Sequence, residues 1–343
     1  MSEKMVIAFI GNGRSANRYH IPFVRTREEK IRIKTICAPK SAHDPWKKIP
    51  GVIYTEDIQV VLSDPEIQVV VLSTPSSTHY ALAKQVLEAG KHCVSEKPFT
   101  PTRKEAEEIF NLAKSKGLML QCYQNRRFDS DFLTAQKVIE SGKLGEITEV
   151  EVSFDYYRPE VPSDPAHVYR PYSGFLYGHA CHTLDQVISY WGIPDHVQYD
   201  VRQLLGEGRM NDYFDVDLFY GNMKASVKSS YFRVKARPPF TVYGRKGMFV
   251  KAVKDKQEEH LKMFYMPGQE GFGKDKPSEY GTLIYYDENQ IYHEEKVITE
   301  PGDYGYYYDA LYETIMHGAP QLVKPEETLA QIEILEKGIQ LLK

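Results

Sequence analysis

A short apolar strand that leads into a turn with two glycines is the feature that most restricts the fold of this chain. Residues 5–10 read Met-Val-Ile-Ala-Phe-Ile, which is typical of a strand buried on both faces of a parallel sheet. Gly11 and Gly13 follow directly, and Ser15 to Val24 are predicted to form a helix. Because the N–H groups at the start of a helix attract negative charge, the sequence predicts an anion site at this turn.

The alternation of strand and helix continues as far as Cys122. The predicted strands are Ile31–Ile36, Val69–Ser73, His92–Ser95 and Leu118–Cys122, and the predicted helices are Thr78–Ala89 and Thr102–Lys116. Alternation of this kind indicates a doubly wound parallel sheet with right-handed crossovers. Ligands bind at the carboxyl ends of the strands in such sheets, where the sequence places Thr74, Pro75, Glu96, Lys97, Pro98 and Tyr123.

The first turn also matches the glycine fingerprint of dinucleotide-binding folds, with Ala16 in place of the third glycine. In NAD sites an acidic residue usually follows the second strand and binds the ribose hydroxyls. Here that strand leads into Cys-Ala-Pro-Lys-Ser, and the first carboxylate is Asp44. Lys40 and Ser41 suit a 2′-phosphate, so the sequence favours NADP over NAD, although Lys40 in a solvated loop is the alternative interpretation.

Beyond Tyr123 the pattern changes to that of an α+β unit. Residues 149–157 alternate between apolar and polar side chains, which predicts a half-buried antiparallel strand. Gly221 and Asn222 predict a hairpin turn. Further strands are predicted at Val197–Leu204, Phe214–Tyr220, Met223–Tyr231, Phe240–Tyr243 and Leu283–Tyr286, and helices at Asp131–Ser141, Tyr304–His317 and Pro325–Leu342.

The length of 343 residues exceeds what one core usually supports, so two domains are expected. The predicted fold class is α/β, with an N-terminal Rossmann domain (1–122) that contains a doubly wound parallel sheet. A C-terminal α+β domain (123–343) is predicted to contain a largely antiparallel open sheet and to bind substrate.

Composition and charge restrict the possible partners and the compartment. The net charge is only −4, which gives no reason to expect binding to nucleic acid or to a membrane. No apolar run approaches the ~18 residues that span a bilayer, and the N-terminal run suits a strand better than a signal peptide. Four scattered cysteines without a C-x-x-C pair predict reduced core thiols in a cytoplasmic protein. His179 and His182 lack a clear third ligand, so no metal site is expected.

The motifs together resemble the Gfo/Idh/MocA oxidoreductases over nearly the whole chain. The resemblance rests on Gly-Asn-Gly at 11–13, Thr-Pro at 74–75 with His79, Glu-Lys-Pro at 96–98, residues 123–128, and His182 with Asp185. It implies NAD(P)-linked oxidation or reduction of sugars and polyols. It also implies a Rossmann domain followed by an open-sheet domain that often mediates oligomerisation, so a homodimer or homotetramer is expected.

The resemblance implies roles for residues of the first domain. Lys97 corresponds to the lysine that holds the reacting hydroxyl, and an ammonium there stabilises the developing alkoxide. Glu96 fixes the lysine or contacts the nicotinamide ribose. The predicted cofactor-binding residues are Gly11, Asn12, Gly13, Arg14, Ser15, Lys40, Thr74, Pro75, His79, Glu96, Lys97 and Asn125.

In the second domain His182 corresponds to the histidine that acts as general acid and base. An imidazole suits proton transfer near neutral pH, and Asp185 lies one helical turn further on, where it could orient the ring. The chain departs from the pattern at Gly178, where many members have an aspartate. The predicted substrate-binding residues are therefore Arg127, Asp155, Tyr157 and Asp185.

Two further questions stay open at this point. Either Arg126 or Arg127 could bind substrate while the other forms a structural salt bridge. The tyrosines between 304 and 312 could stack on a sugar ring or pack in a core. The sequence as a whole predicts an NAD(P)-dependent dehydrogenase that acts on a secondary alcohol or ketone of a sugar or cyclic polyol such as an inositol. The alternative hypotheses are a non-catalytic dinucleotide-binding sensor or scaffold and a reductase of a non-sugar ketone or ring that uses the same cofactor site.

Overall fold

The computed structural model describes residues 4–43, 45–166, 172 and 174–342. The chain forms two compact units, and each consists of three separate segments. The first unit comprises Met1–Asn125, Glu258–Phe272 and Tyr304–Leu329, and the second comprises Arg126–Gln257, Gly273–Asp303 and Ala330–Lys343. The assignment of cofactor binding to residues 1–122 and of substrate binding to 123–343 stays a prediction.

A six-stranded parallel sheet forms the centre of the first unit. Its strand order is β3-β2-β1-β4-β5-β6, and every neighbouring pair is parallel. All six residues of the first strand are buried, as expected for a strand covered on both faces. The strands are β1 Met5–Ile10, β2 Ile31–Cys37, β3 Ile53–Thr55, β4 Val69–Leu72, β5 His92–Ser95 and β6 Leu120–Cys122. The predicted doubly wound Rossmann sheet is confirmed.

The helices of this unit connect the strands or follow them. They are α1 Ile21–Arg25, α2 Lys40–His43, α3 Gln59–Leu62, α4 His79–Glu88, α5 Arg103–Ser115 and, from the late segment, α10 Gly305–His317. α1 is preceded by a π-helical turn at Ala16–His20, so the predicted helix from Ser15 to Val24 consists of a wide turn followed by a short α-helix. The start of α5 has a capping box, in which Thr102 and Glu105 satisfy each other's backbone N–H groups.

An eight-stranded sheet forms the second unit, in the order β14-β13-β12-β11-β7-β10-β9-β8. All neighbours are antiparallel except β7 and β10, which are parallel. The largely antiparallel sheet and the hairpin at Gly221–Asn222, which joins β9 to β10, are confirmed. The strands are β7 Ile147–Ser153, β8 His196–Arg202, β9 Tyr213–Tyr220, β10 Met223–Ser230, β11 Phe240–Gly244, β12 Gly247–Lys251, β13 Gly281–Tyr286 and β14 Tyr292–Val297.

The main helices that belong wholly to this unit are α6 Ser130–Glu140 and α8 Cys181–Trp191, with the four-residue α7 at Glu160–Ser163. A second π-helical turn at Leu176–Ala180 leads into α8. The α9 helix Gln257–Lys262 and the α11 helix Pro325–Gln340 each span a boundary between the segments of the two units.

The predicted strand at 149–157 extends beyond the end of the observed strand. β7 stops at Ser153, and Tyr157 makes only an isolated bridge to Phe232. The Ser153 N–H donates to the carbonyl of Pro239, and because Pro239 has no N–H to return, the ladder with β11 cannot continue. The structure also contains β3, β12 and β14, which the sequence pattern did not predict.

The described residues also allow a comparison with what was predicted for the cysteines and for membrane-spanning segments. All four cysteines are buried thiols, which confirms their prediction as core residues. Burial raises the pKa of the Cys93 and Cys37 thiols, so neither is suited to act as a nucleophile. Within the described ranges, no helix is both long enough and apolar enough to cross a bilayer.

Candidate functional site

The two glycines of the first turn have different structural roles. Gly11 has a φ of +109°, and a Cβ there would lie 2.4 Å from the carbonyl oxygen of Ser73, so no other residue fits. Its N–H donates to the carbonyl of Cys37 at 2.8 Å. At Gly13 a Cβ would meet no atom within 4 Å, so the space above the turn is open. A glycine with open space in front of it lets a phosphate approach the backbone, and the turn therefore fits the pyrophosphate of a dinucleotide.

Side chains around the turn hold it in place. Asn12 is buried, and its side-chain oxygen accepts a hydrogen bond from the amide of Asn17 at 2.8 Å. The same amide donates to the carbonyl of Gly13 at 3.1 Å. The Ser15 hydroxyl donates to the carboxylate of Glu96, which links the turn after β1 to the end of β5. Arg14 is exposed at the turn.

The loop after β2 contains the residues from which NADP was predicted. Lys40 and Ser41 are exposed at the start of α2. Asp44, the first carboxylate after the strand, lies outside the described residues. An ammonium and a hydroxyl in this position fit a phosphate better than a pair of ribose hydroxyls, and the preference for NADP stays a prediction.

His79 joins the loops that follow β4 and β5. Its Nε2 lies 3.0 Å from the carbonyl oxygen of Thr74, and its Nδ1 lies 2.9 Å from that of Pro98. The ring is buried, and both nitrogens face backbone carbonyls, so its evident contribution is to fix the two loops. The Thr74 hydroxyl meets that of Thr78 at 2.7 Å, which closes the turn around Pro75.

The Glu96 carboxylate is buried and has several hydrogen-bond partners. Besides Ser15, it accepts the Lys97 N–H at 3.0 Å, and it lies 3.0 Å from the Nε2 of His20. Burial raises the pKa of this carboxyl, but the hydrogen bond and charge of His20, the charge of Lys97 and the Ser15 hydroxyl outweigh burial and lower it to about 2. Glu96 is therefore ionised at neutral pH, directly next to Lys97.

His20 and Tyr308 extend this arrangement into the core. The His20 ring is completely buried, its Nδ1 lies 2.7 Å from the Tyr308 hydroxyl, and it packs on Tyr123 with ring centroids 3.8 Å apart. Burial and the nearby charge of Glu96 raise the pKa of Tyr308, so its hydroxyl stays protonated. The Nε2–H of His20 can donate to Glu96, and Nδ1 lies within hydrogen-bond distance of this hydroxyl. We call Glu96, His20 and Tyr308 the Glu96 network.

No sequence pattern predicted His20 or Tyr308 in this role. The available signals were a histidine within the predicted first helix and a tyrosine in the run near 304. Of that run, Tyr304, Tyr307 and Tyr308 are completely buried, and only Tyr306 is largely exposed. The Tyr307 hydroxyl donates to the carbonyl of Cys122 at 3.0 Å. The structure therefore supports the packing alternative for these buried rings.

Lys97 is partly buried at the end of β5, and Asn125 is buried at the start of the single turn Asn125–Phe128. Within the first unit, the structure thus brings together the glycine turn, Ser15, Glu96 and Lys97. Their predicted contacts with a cofactor, and that of Asn125, stay predictions.

In the second unit His182 lies in the first turn of α8, with 9% of its surface exposed. Asp185, one turn further along, is buried and receives two hydrogen bonds from Arg127, at 2.7 and 2.8 Å. Arg126 lies 3.2 Å from the Asp129 carboxylate. Both arginines therefore form ion pairs, and Arg127 fixes the carboxylate that was predicted to orient His182.

Asp155 and Tyr157, the two residues considered in place of an acid at 178, have opposite environments. The Asp155 carboxylate is buried and accepts two side-chain hydrogen bonds from Arg237, both at 2.8 Å, and one from the Ser230 N–H at 3.1 Å. Tyr157 is 59% exposed. A Cβ at Gly178 would meet no atom within 4 Å, so space is open there. Tyr157 is the more accessible of the two candidates.

Among the residues that the structure describes, no group of three or more His, Cys, Asp or Glu side chains has the geometry of a metal site. Among the predicted site residues, the first unit contains the ammonium of Lys97 and the second contains the imidazole of His182.

A parallel sheet with a glycine turn at its first strand, followed by an open antiparallel sheet, defines a two-part dinucleotide-binding protein. Residues 5–124 match the NAD-binding Rossmann fold of the Gfo/Idh/MocA oxidoreductase family, and residues 136–340 match the C-terminal alpha/beta domain of that family. The chain belongs to the Gfo/Idh/MocA oxidoreductases, which confirms the resemblance.

Named relatives cover nearly the whole chain. The uncharacterized oxidoreductase YhhX of Escherichia coli is 48% identical over 334 residues, which are 97% of this chain and 95% of the relative. The scyllo-inositol 2-dehydrogenase (NADP(+)) IolW of Bacillus subtilis is 31% identical over 97% of this chain and 92% of its own length. The crystal structure of an oxidoreductase from Bacillus cereus superimposes with a TM-score of 0.93, at 43% identity, over 98% of this chain and 96% of that one.

Proposed function

We propose that this protein is an NADP-preferring dehydrogenase that interconverts a secondary alcohol and a ketone on a sugar or cyclic polyol. The observation on which the proposal rests is the ionised, buried Glu96 beside Lys97 at the end of β5, hydrogen-bonded to Ser15 of the glycine turn. Ligands of this fold bind at that edge of the sheet, so a lysine beside a fixed carboxylate there supports a role in the reaction. The relative IolW, whose name specifies NADP and scyllo-inositol, supports the same chemistry.

The residues of the glycine turn would hold the dinucleotide. The open space at Gly13 admits the pyrophosphate, and Lys40 and Ser41 lie at the end of β2, where a 2′-phosphate is bound in this fold. Such a dinucleotide would supply the acceptor, or in the reverse direction the donor, for the hydride of the carbinol carbon.

The reacting oxygen needs two further groups. The Lys97 ammonium stabilises negative charge on this oxygen as the alcohol is oxidised, and Glu96 holds the backbone of Lys97 through its N–H. His182 takes up the hydroxyl proton during oxidation and returns it during reduction. Arg127 and Asp185 keep the helix around His182 rigid through their paired hydrogen bonds.

The test combines an activity screen with one pair of variants. Purified protein is assayed with NADP⁺ and NAD⁺ against a panel of polyols and aldoses, and NADPH binding is measured by fluorescence titration. Lys97→Met is expected to lose about 10²–10³-fold in kcat, the usual effect of removing one stabilising donor, and to bind NADPH within a few-fold of wild type. Lys84→Met, at an exposed position on α4, is the control and should change neither value.

Near-normal turnover of Lys97→Met would show that this lysine has no catalytic role. A protein that binds NADPH tightly but oxidises no alcohol and reduces no ketone would instead support the alternative of a non-catalytic dinucleotide-binding protein.

A further inference from the structure

Three cationic side chains of the second unit lie against the same two aromatic rings. The Lys254 Nζ is 4.5 Å from the ring centroid of Phe154 and 5.1 Å from that of Tyr156. The Arg126 guanidinium carbon is 4.8 Å from the Phe154 centroid, and that of Arg158 is 5.2 Å from the Tyr156 centroid. The two rings contact each other at 5.5 Å. We call these five residues the basic–aromatic cluster.

Two carboxylates close in sequence to this cluster are already bonded to arginines. Asp129 pairs with Arg126, and Asp155 accepts both side-chain hydrogen bonds of Arg237. Among the described residues, no carboxylate lies within ion-pair distance of Arg158, which is exposed, as is Lys254. Arg158, which lies against the Tyr156 ring as Lys254 does, therefore presents positive charge to solvent.

The cluster adjoins the segment that leads to His182. The Tyr156 ring contacts the ring of His179 at 5.1 Å. His179 belongs to the π-helical turn Leu176–Ala180, which runs directly into α8 and His182. Gly178 in the same turn has no charge, and the position of its absent side chain is open. Positive charge and aromatic surface thus adjoin His179, three residues before the histidine that is proposed to move the substrate proton.

We propose that the substrate has an anionic substituent, a carboxylate or a phosphate ester on the sugar or polyol, and that Lys254 and Arg158 bind it. Aromatic rings under the cations hold them in place, and they leave the outward N–H groups of Arg158 available for a planar or tetrahedral anion. This inference rests on the proposed dehydrogenase function and adds the substrate class to it.

The first experiment compares substrates that share a carbon skeleton and differ in charge. D-glucose is paired with D-glucuronate and with D-glucose 6-phosphate, and myo-inositol is paired with an inositol monophosphate. In each pair of substrates that shows turnover, we expect kcat/KM for the anionic compound to exceed that for the neutral compound by at least tenfold at low salt. The advantage should shrink in 0.5 M salt, where the Debye length falls to a few ångström. The glucuronate and phosphate arms show which of the two anions is preferred.

Variants then test the cluster itself. Lys254→Gln and Arg158→Gln should each lower the anion-to-neutral ratio of kcat/KM about tenfold, the usual effect of one charge-assisted contact. Lys246→Gln, an exposed lysine between β11 and β12, is the matched control and should leave the ratio unchanged. Calorimetric titration of each protein with gluconate, and with sorbitol as the neutral probe, measures binding without turnover.

The outcomes separate the two proposals. Turnover of the neutral partners without any preference for the anions overturns the anionic substrate and leaves the dehydrogenase intact. Gluconate binding that both cluster variants retain at full strength also overturns it. If no member of the panel reacts, the proposed function fails, while gluconate binding that is lost in both variants and kept in Lys246→Gln would still establish the anion site.

Discussion

The Glu96 network makes a prediction about stability and pH that needs no substrate. Because the pKa of Glu96 falls from its ordinary 4.5 to about 2 on folding, its ionisation stabilises the folded first unit by about 3 kcal/mol at pH 7. The sign follows from the lowered pKa. The stabilisation is complete above pH 4.5 and is lost as the pH falls towards 2, with roughly 2 kcal/mol already gone at pH 3. Glu96→Gln cannot ionise, so it should lose about 3 kcal/mol at pH 7.

The two tryptophans allow each unit to be followed by itself. Trp46 belongs to the first unit and Trp191 to the second, so in a Trp191→Phe background the fluorescence reports unfolding of the first unit. Urea unfolding is measured at pH 7, 5, 4 and 3. The difference in unfolding free energy between the parent protein and its Glu96→Gln variant should narrow as the pH falls. Glu88→Gln, at an exposed position on α4, is the control and should show no such trend. A difference of equal size at all four pH values would refute the ionised buried carboxylate.

Three further predictions concern the cofactor and the proton. His182→Asn should lose about 10²–10⁴-fold in kcat and flatten the acidic limb of the pH–rate profile, and a retained limb would assign the proton to another group. The parent protein should bind NADPH more tightly than NADH, and Lys40→Asp should narrow this difference in affinity by at least tenfold, or about 1.4 kcal/mol, or reverse it. Equal affinities for the two cofactors, unchanged in the variant, would contradict this prediction. Gly11→Ala, whose Cβ would meet Ser73, should unfold at markedly lower urea, whereas Gly13→Ala should keep its stability but bind NADPH more weakly. Equal urea midpoints for the two glycine variants would contradict the assignment of a stability role to Gly11 and a binding role to Gly13.

Local patterns were sufficient to predict five of the six strands of the parallel sheet, but not the short β3. Most of the five are short apolar runs that alternate with helical stretches, so a parallel sheet follows from short-range information. β14 was not predicted for a physical reason, since its sequence Tyr-His-Glu-Glu-Lys-Val has the charged character of an edge strand, and charge protects an unpaired edge. The parallel pairing of β7 with β10 was not predicted either, because strand partners far apart in sequence leave no local pattern.

The same limit applies to the candidate site. Lys97, Glu96 and His182 were predicted because each lies in a recognisable motif. The partners that set their environment were not predicted, since Tyr308 lies 288 residues from His20, and Arg127 lies 58 residues from Asp185. A sequence pattern shows which groups are present, but the tertiary fold decides which of them share a hydrogen bond.

Because the first unit takes Tyr308 and its neighbours from near the end of the chain, its core cannot be completed early in synthesis. Residues 1–125 emerge from the ribosome long before Tyr304 and Tyr308, whose rings pack against Phe23 and His20. A nascent chain with only the parallel sheet would expose that apolar surface until residue 329 is free of the exit tunnel. Cutting the gene at residue 125 should therefore yield an unstable fragment, whereas a version that also retains 258–272 and 304–329 through linkers contains all three segments of the unit.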